Sequence, residues 1–459
     1  MTDHSFDVIV IGAGPAGEVA AGRLAQRGKA VALVERELVG GECSFYACMP
    51  SKALLRPNEA VDELLRVPGA YEAMEPVDLD VASTLERRDE VIHHLRDDAQ
   101  MPWLEERGVT LLRGHARLTG DRRVTVEGVG DCEAREAVVV ATGSSALLPP
   151  IPGLAEAAPW TNREATTASE VPGELIVLGG GVVGVELAQA WRSLGAYVML
   201  VEAADRLIAR EEPFASEQVS EALRVRDVEL WIGVRAVGVA RGADGRTTVT
   251  LDEGEELTGD HLLVAVGRRP RTDDLGLETV GLESGESIEV DDALRVPGRP
   301  WLYAIGDVNG RAQLTHMGKH QARVAADAIC GDDGARVGRL DGPLSPRVVF
   351  TDPNVAAVGH TLASAREAGI AARAVDRETS GNAGGSFHGH GAAGTTRFVL
   401  DTERELLVGA TFVGPEVAEM LHAATIAIAA EVPLATLANA VPAFPTRSEL
   451  WLDLHAGDS

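Results

Sequence analysis

Cys43 and Cys48 are separated by four residues, and each can serve as a nucleophile, a metal ligand or half of a disulfide. Structural zinc asks for four ligands, and no second cysteine pair exists, since Cys132 and Cys330 stand alone. A helical turn following Cys43 brings the two sulfurs into bridging range, which points to a redox-active pair. The plainer alternative is two reduced thiols with no part in any chemistry. Four cysteines in 459 residues are too few for a structural disulfide framework. Lysine is scarce as well: Lys29, Lys52 and Lys319 are the only three among 42 basic residues. Lys52, four residues after Cys48, is either retained for its own chemistry or a survivor of an arginine bias.

Such a pair needs a partner that carries electrons, and the neighbouring elements suggest one. The apolar run Val8 to Ile11 suits a strand buried on both faces, and Gly12, Gly14 and Gly17 follow it at once. That spacing is a dinucleotide fingerprint, in which the glycines make the tight turn, admit a pyrophosphate and let helix pack on strand. A helix to about Arg27 offers its N-terminal amides to phosphate, and Ala30 to Val34 forms a second strand ending at Glu35, where a carboxylate can accept from a ribose. One such triplet is weak evidence, but here it comes twice. A shift of 167 positions lays Gly12, Gly14, Gly17, Gly28 and Glu35 onto Gly179, Gly181, Gly184, Gly195 and Glu202 without a gap. Two nucleotide-binding α/β domains are therefore predicted, against the alternative of a duplicated fold without ligand. Glu202 favours NADH over NADPH because a carboxylate repels a 2′-phosphate, with Arg206 tempering that preference.

The rest of the composition narrows the field. The length suits about three domains, and 45% hydrophobic with 24% charged residues is that of a globular protein. A formal net charge of −28 opposes nucleic acid and anionic lipid as partners. No apolar run is long enough to cross a bilayer and no signal segment is visible, so a cytoplasmic location is expected.

In this order the motifs resemble the pyridine nucleotide-disulfide oxidoreductases, the flavoenzyme family of dihydrolipoamide dehydrogenase, glutathione reductase and mercuric reductase. The likeness covers nearly the whole chain. It rests on the two fingerprints, on Gly-Gly-Glu-Cys-Ser-Phe-Tyr-Ala-Cys-Met-Pro-Ser-Lys from Gly40, on Ala141-Thr142-Gly143, on Val-Gly-Arg-Arg-Pro from Val266, on Ala-Ile-Gly-Asp at 304–307, and on Phe-Thr-Asp-Pro from Phe350. The resemblance implies an α/β fold with two Rossmann-like dinucleotide-binding domains and a C-terminal α+β dimerisation domain in a homodimer. The FAD domain is discontinuous, at 1–148 and 268–338, around an NAD(P) domain at 149–267, with the interface domain at 339–459. Pro149, Pro150, Pro152 and Gly153 mark the first boundary independently.

The same resemblance implies the site residues. Cofactor contacts are expected at Gly12, Gly14, Pro15, Ala16, Gly17, Glu35, Arg36, Gly41, Glu42, Cys43, Cys48, Lys52, Ala116, Ala141, Thr142 and Gly143. Further along they are expected at Gly179, Gly181, Val182, Val183, Gly184, Glu202, Ala203, Val266, Gly267, Arg268, Gly306, Asp307, Leu314, Thr315 and His316. Electrons pass from NADH through FAD to the disulfide, Cys48 facing the flavin and Cys43 the substrate. Lys52 pairs with Glu186. No metal is expected.

One departure limits the substrate. The family's His-x-His-Pro-Thr-x-x-Glu becomes Pro442, Ala443, Phe444, Pro445, Thr446, Arg447, Ser448 and Glu449, so Phe444 replaces the catalytic histidine while Glu449 stays. Loss of a positioned acid–base group costs roughly 10²- to 10⁴-fold in rate and weakens the case for dihydrolipoamide. A small disulfide whose leaving thiol has a low pKa is expected as substrate. The alternatives are a diaphorase-like reductase of quinones or metal species, and a flavin-binding protein without turnover. No cysteine beyond Cys330 supplies the terminal pair of mercuric reductases. His388, His390 and His455 are weighed as replacement bases and read as loop or surface residues.

Overall fold

A computed structural model describes residues 4–73 and 79–455. Its contacts divide the chain into two units: Met1–Pro50, Asp89–Leu147 and Arg268–Gly342 form one, and Ser51–Arg88, Leu148–Gly267 and Pro343–Ser459 the other.

In the first unit, strand β1 (His4–Ile11) pairs in parallel with β2 (Val31–Glu35) on one side and with Gly130–Val140 on the other. Thr110–Arg113 extends the sheet beyond β2, and Leu302–Ala304 adds to Gly130–Val140, both in parallel. Val8, Ile9 and Val10 are fully buried, as a strand covered on both faces requires. Helix α1 (Pro15–Gln26) follows β1 after the glycine turn, with Pro15 in its first turn, where a fixed φ helps and a missing N–H costs nothing. Its C-cap is Arg27, and Gly28 at φ +84° then turns the chain toward β2, which starts one residue later than the sequence suggests. The carboxyl ends of these parallel strands form the edge where doubly wound folds bind ligands.

Among the described residues the second unit holds three sheets. Glu229–Ile232, Tyr197–Glu202, Glu174–Leu178 and His261–Val264 form a four-stranded parallel sheet in that order. Ala236–Arg241, Thr247–Leu251 and Glu256–Gly259 make an antiparallel meander. A five-stranded antiparallel sheet runs in the order Arg347–Val349, Asn354–Gly359, Leu406–Gly414, Thr395–Asp401 and Ala372–Glu378. Trp191, fully buried on the Val182–Ser193 helix, lies in a core shared with Val349, Val355 and Val413 of that sheet and with Leu54 and Leu55. Those two leucines come from helix α3 (Cys48–Arg66), which carries Cys48 at its first position.

Buried ion pairs join the same elements. Arg347 reaches Glu211 at 2.6 Å, and Arg397 reaches Glu212 at 2.9 Å, with Glu212 only 2% exposed. Asp352 pairs with Arg66 and with Arg226, the latter at 2.7 Å.

Candidate active site

The two glycine turns have the same stereochemistry. Gly12 and Gly179 stand at φ +101° and +105°, and a Cβ on either would lie 2.5 Å from the carbonyl oxygen of Ala141 or Ala265. A Cβ on Gly17 or Gly184 would strike the carbonyl oxygen of Gly12 or Gly179. Gly14 and Gly181 differ from these: each caps its helix with extended backbone, and a Cβ there would meet nothing within 4 Å. Open space at a helix N-terminus, in a turn otherwise closed by backbone contact, fits a pyrophosphate.

The closing carboxylates repeat too. Glu35 accepts from the Ala13 and Glu37 amides, both at 2.7 Å. Glu202 accepts from the Gly180 amide at 2.5 Å and the Ala204 amide at 2.6 Å. Each carboxylate thus ties the middle of its glycine loop to the strand end, a second role beyond any ribose contact. Arg206 gives its guanidinium to the Ala209 carbonyl at 2.7 Å. Around the second turn, Val182, Ala203 and Val266 are exposed, Val183 is half-buried, and Gly267 holds φ +145°.

Some of the expected residues of the first unit lie against its glycine turn. A Cβ on Gly41 would sit 2.9 Å from Gly14 Cα, and one on Gly306 3.3 Å from Ala16 Cβ. Gly41 opens helix α2 (Gly41–Phe45), which carries Glu42 and Cys43. Glu42 pairs with Arg271 at 2.7 Å, and Arg271 in turn receives the Thr142 hydroxyl on its carbonyl at 2.7 Å and donates its amide to Gly143. Arg268 donates to Ser144 at 2.7 Å, and Ser144 hydrogen-bonds Asp307. Burial pushes the Asp307 carboxyl up, while Ser144 and Arg268 pull it back. Ala141 and Ala116 are buried, Arg36 lies 3.6 Å from Glu37, and His316 is exposed.

Cys43 and Cys48 carry free thiols, close enough that Cys48 acts on the Cys43 proton. Leu314 caps the Thr315–Ile329 helix, and the Thr315 hydroxyl lies 3.4 Å from Cys48 Sγ. The Cys43 thiol is held well above the usual range, first because it shares its proton with Cys48 and then because it is buried. Two thiols this close do not ionise together, so the pair titrates one proton at a time.

Lys52, one turn along α3 from Cys48, places Nζ 2.5 Å from Glu186 Oε2 and 4.8 Å above the Phe350 ring. The other oxygen of Glu186 accepts the Phe350 amide at 2.9 Å, and Glu186 is 3% exposed. A buried carboxylate so fixed holds the ammonium in one place.

Near the C-terminus Phe444 is 76% exposed, and Glu449 Oε2 is buried with no hydrogen-bond partner among the described residues. His388 lies 3.8 Å from Glu416, its pKa lowered by burial, in a small crevice with Glu63 and Arg66 at the C-terminal end of α3. His390 donates its amide to the Arg66 carbonyl at 2.8 Å. The His455 side chain lies outside the described residues. Ser144 and Arg271, which in the first unit brace Asp307, Arg268, Thr142 and Glu42, carry no motif signal beyond their nearness to Gly143 and Arg268.

A family model described as pyridine nucleotide-disulphide oxidoreductase matches residues 6–322, and one for that family's dimerisation domain matches 345–454. The chain is 32% identical to a dihydrolipoyl dehydrogenase of Haloferax volcanii, over 97% of this chain and 95% of that protein. It is 34% identical to dihydrolipoyl dehydrogenase 3 of Pseudomonas aeruginosa, over 97% and 96%. With a mercuric reductase of Staphylococcus aureus it shares 29% identity over 97% of this chain and 81% of the other. The HOCl-induced flavoprotein disulfide reductase RclA of Escherichia coli, solved as a Cu(II) complex, has the same fold, with a TM-score of 0.86 at 24% identity over 99% of both chains. LpdA of Mycobacterium tuberculosis gives a TM-score of 0.84 at 25% identity over 97% of both.

Proposed function

This chain belongs to the pyridine nucleotide-disulphide oxidoreductase family, as an NAD(P)H-dependent flavin disulfide oxidoreductase, and we propose that it uses NADH to reduce a small disulfide through Cys43 and Cys48. The observation that carries the proposal is the placing of Cys43 and Cys48 on successive helices, with the Cys48 sulfur 3.4 Å from the Thr315 hydroxyl, on the unit whose glycine turn suits FAD. Gly12 to Gly17, Glu35, Ser144, Arg268 and Asp307 are the residues that would hold FAD, which when bound supplies two-electron transfer between nicotinamide and disulfide. The chain's own thiols then act in sequence. Cys43, as thiolate, attacks one sulfur of the substrate and releases the first thiolate product. Cys48, after passing its proton to that thiolate product, attacks Cys43 in the mixed disulfide, releases the second product as a thiolate and restores the Cys43–Cys48 bond. Lys52, fixed by Glu186, places a positive charge one helical turn from Cys48.

Preference for NADH rests on Glu202, whose carboxylate is anchored at the end of its strand by two amides and presents negative charge where a 2′-phosphate would come. Arg206, whose guanidinium donates to the neutral Ala209 carbonyl, keeps its charge and tempers that preference. With Phe444 in the histidine position, substrates whose thiol products leave as anions are favoured over dihydrolipoamide. The dimerisation domain supports a homodimer. Among the described residues no helix is long and apolar enough to cross a membrane.

A second reading, reduction of quinones or metal species, is favoured by the same exposed Phe444, since such acceptors need no protonated thiol product. Steady-state assays decide both points. kcat/KM with NADH is expected to exceed that with NADPH, and activity with an aromatic disulfide is expected to depend on Cys43. A preference for NADPH would refute the coenzyme assignment. Equal quinone and disulfide turnover in Cys43→Ser and the parent would favour the second reading.

A further inference from the structure

Lys319 takes no part in the thiol exchange or in the Lys52–Glu186 pair. It lies one turn after Thr315 on the Thr315–Ile329 helix, and residues four apart share a helix face. Thr315 is the residue whose hydroxyl approaches Cys48 Sγ at 3.4 Å. The same helix packs closely on α1: a Cβ on Gly318 would come within 3.3 Å of Ala16 Cβ. Two residues beyond Ala16, in the first turn of α1, stands Glu18, half-buried where Lys319 is exposed. Within this one unit, Lys319 therefore shares a helix face with the residue that approaches Cys48, on a helix packed against the turn that carries Glu18.

Opposing charges act on the pair and on Glu18, and the FAD pyrophosphate, when bound at the Gly12–Gly17 turn, would add negative charge beside Glu18. On Cys43 act Cys48, which with burial raises its pKa, and Thr315 and Lys319, which lower it. Glu42, the neighbour of Cys43, is neutralised by Arg271 at 2.7 Å. Glu18 is pushed up to about 7, chiefly by burial and further by Glu35, with Lys319 opposing. The reaction creates the charge that Lys319 would answer. A hydride carries two electrons and one proton, so it converts a disulfide into one thiol and one thiolate with no further proton needed. One negative charge appears on the pair at that moment.

We propose that Lys319 is an electrostatic positioning residue that holds the reduced Cys43–Cys48 pair as one thiol and one thiolate, and that Glu18 sets its strength by being neutral or charged. The inference rests on the thiol pair being the reacting centre. With Glu18 protonated, the ammonium acts on the thiolate unopposed. With Glu18 ionised, part of its field is cancelled.

The test is the pH profile of thiol alkylation by iodoacetamide in holoprotein reduced anaerobically with NADH, the alkylated residue being identified by mass. Lys319→Met is expected to move the midpoint upward by about half a pH unit, roughly a threefold loss of thiolate at fixed pH, and Lys319→Arg to keep the parent profile. Glu18→Gln is expected to move the midpoint downward. A Lys319→Met profile that coincides with the parent overturns the role of Lys319, and an unchanged Glu18→Gln profile overturns that of Glu18. Failure of the disulfide mechanism looks different: NADH would then expose no new alkylatable thiol in any variant, the parent included.

Discussion

Glu449 keeps one carboxylate oxygen buried without a partner among the described residues, an arrangement that ordinarily costs about 1–3 kcal/mol. The resemblance places a histidine where Phe444 stands, so Phe444→His is expected to give that oxygen a partner and to raise dihydrolipoamide turnover at least about tenfold. Adding Glu449→Gln should remove most of the gain, and a Phe444→His enzyme no faster than its parent would show that position 444 does not reach the reacting thiols. Glu18 gives a second residue-scale expectation, in stability. Its folded pKa of about 7 lies above the ordinary 4.5, so the folded state binds this proton more tightly than the unfolded state. The resulting stabilisation is complete below 4.5 and is lost as pH rises through about 7. Glu18→Gln should therefore be more stable than the parent at alkaline pH, by roughly 1–3 kcal/mol after allowance for partial exposure, with the difference vanishing in acid. Thermal melts of the two proteins across that range check the sign.

At the scale of elements, the glycine turns separate folding from binding. Gly179→Ala puts a Cβ at φ +105° and 2.5 Å from the Ala265 oxygen, so it should lower the melting temperature and expression together. Gly181→Ala puts one in open space with ordinary φ, so the protein should fold with full flavin content while KM for NADH rises at least about tenfold. An unchanged KM would mean that the dinucleotide does not approach this turn. These turns are also where the sequence was most legible. Glycines at fixed spacing after an apolar run report a backbone need that only glycine meets, and the 167-residue repeat carries Glu35 and its loop amide onto Glu202 and Gly180. The bracing by Ser144 and Arg271 was not legible, because those contacts join segments more than a hundred residues apart and either side chain is common in loops. The ties of Glu35 and Glu202 to their glycine loops were hidden for another reason, since an acidic residue after a strand reads the same whether it holds a ribose, a loop or both.

At the scale of the molecule, Ser51–Arg88 groups with the second unit, a placement that no motif announces because it follows from where Leu54 and Leu55 find apolar partners. That unit is also bound by ion pairs whose acidic members are almost wholly buried, Glu211 with Arg347 and Glu212 with Arg397. Removing one partner leaves a buried charge uncompensated, so Arg397→Met should cost roughly 3–5 kcal/mol, and the double variant with Glu212→Leu should recover part of the loss. Denaturation of both variants measures this, and a neutral Arg397→Met would show that the pair is solvated. The whole molecule also has to act as one electron path, and an anaerobic titration with NADH counts its capacity. With FAD and the Cys43–Cys48 disulfide both accepting two electrons, the holoprotein should take up about two equivalents of NADH per flavin and develop long-wavelength thiolate charge-transfer absorbance. Cys48→Ser should take up about one and show no such band. Uptake of a single equivalent by the parent protein, without the band, would contradict the assignment of Cys43 and Cys48 as the redox centre.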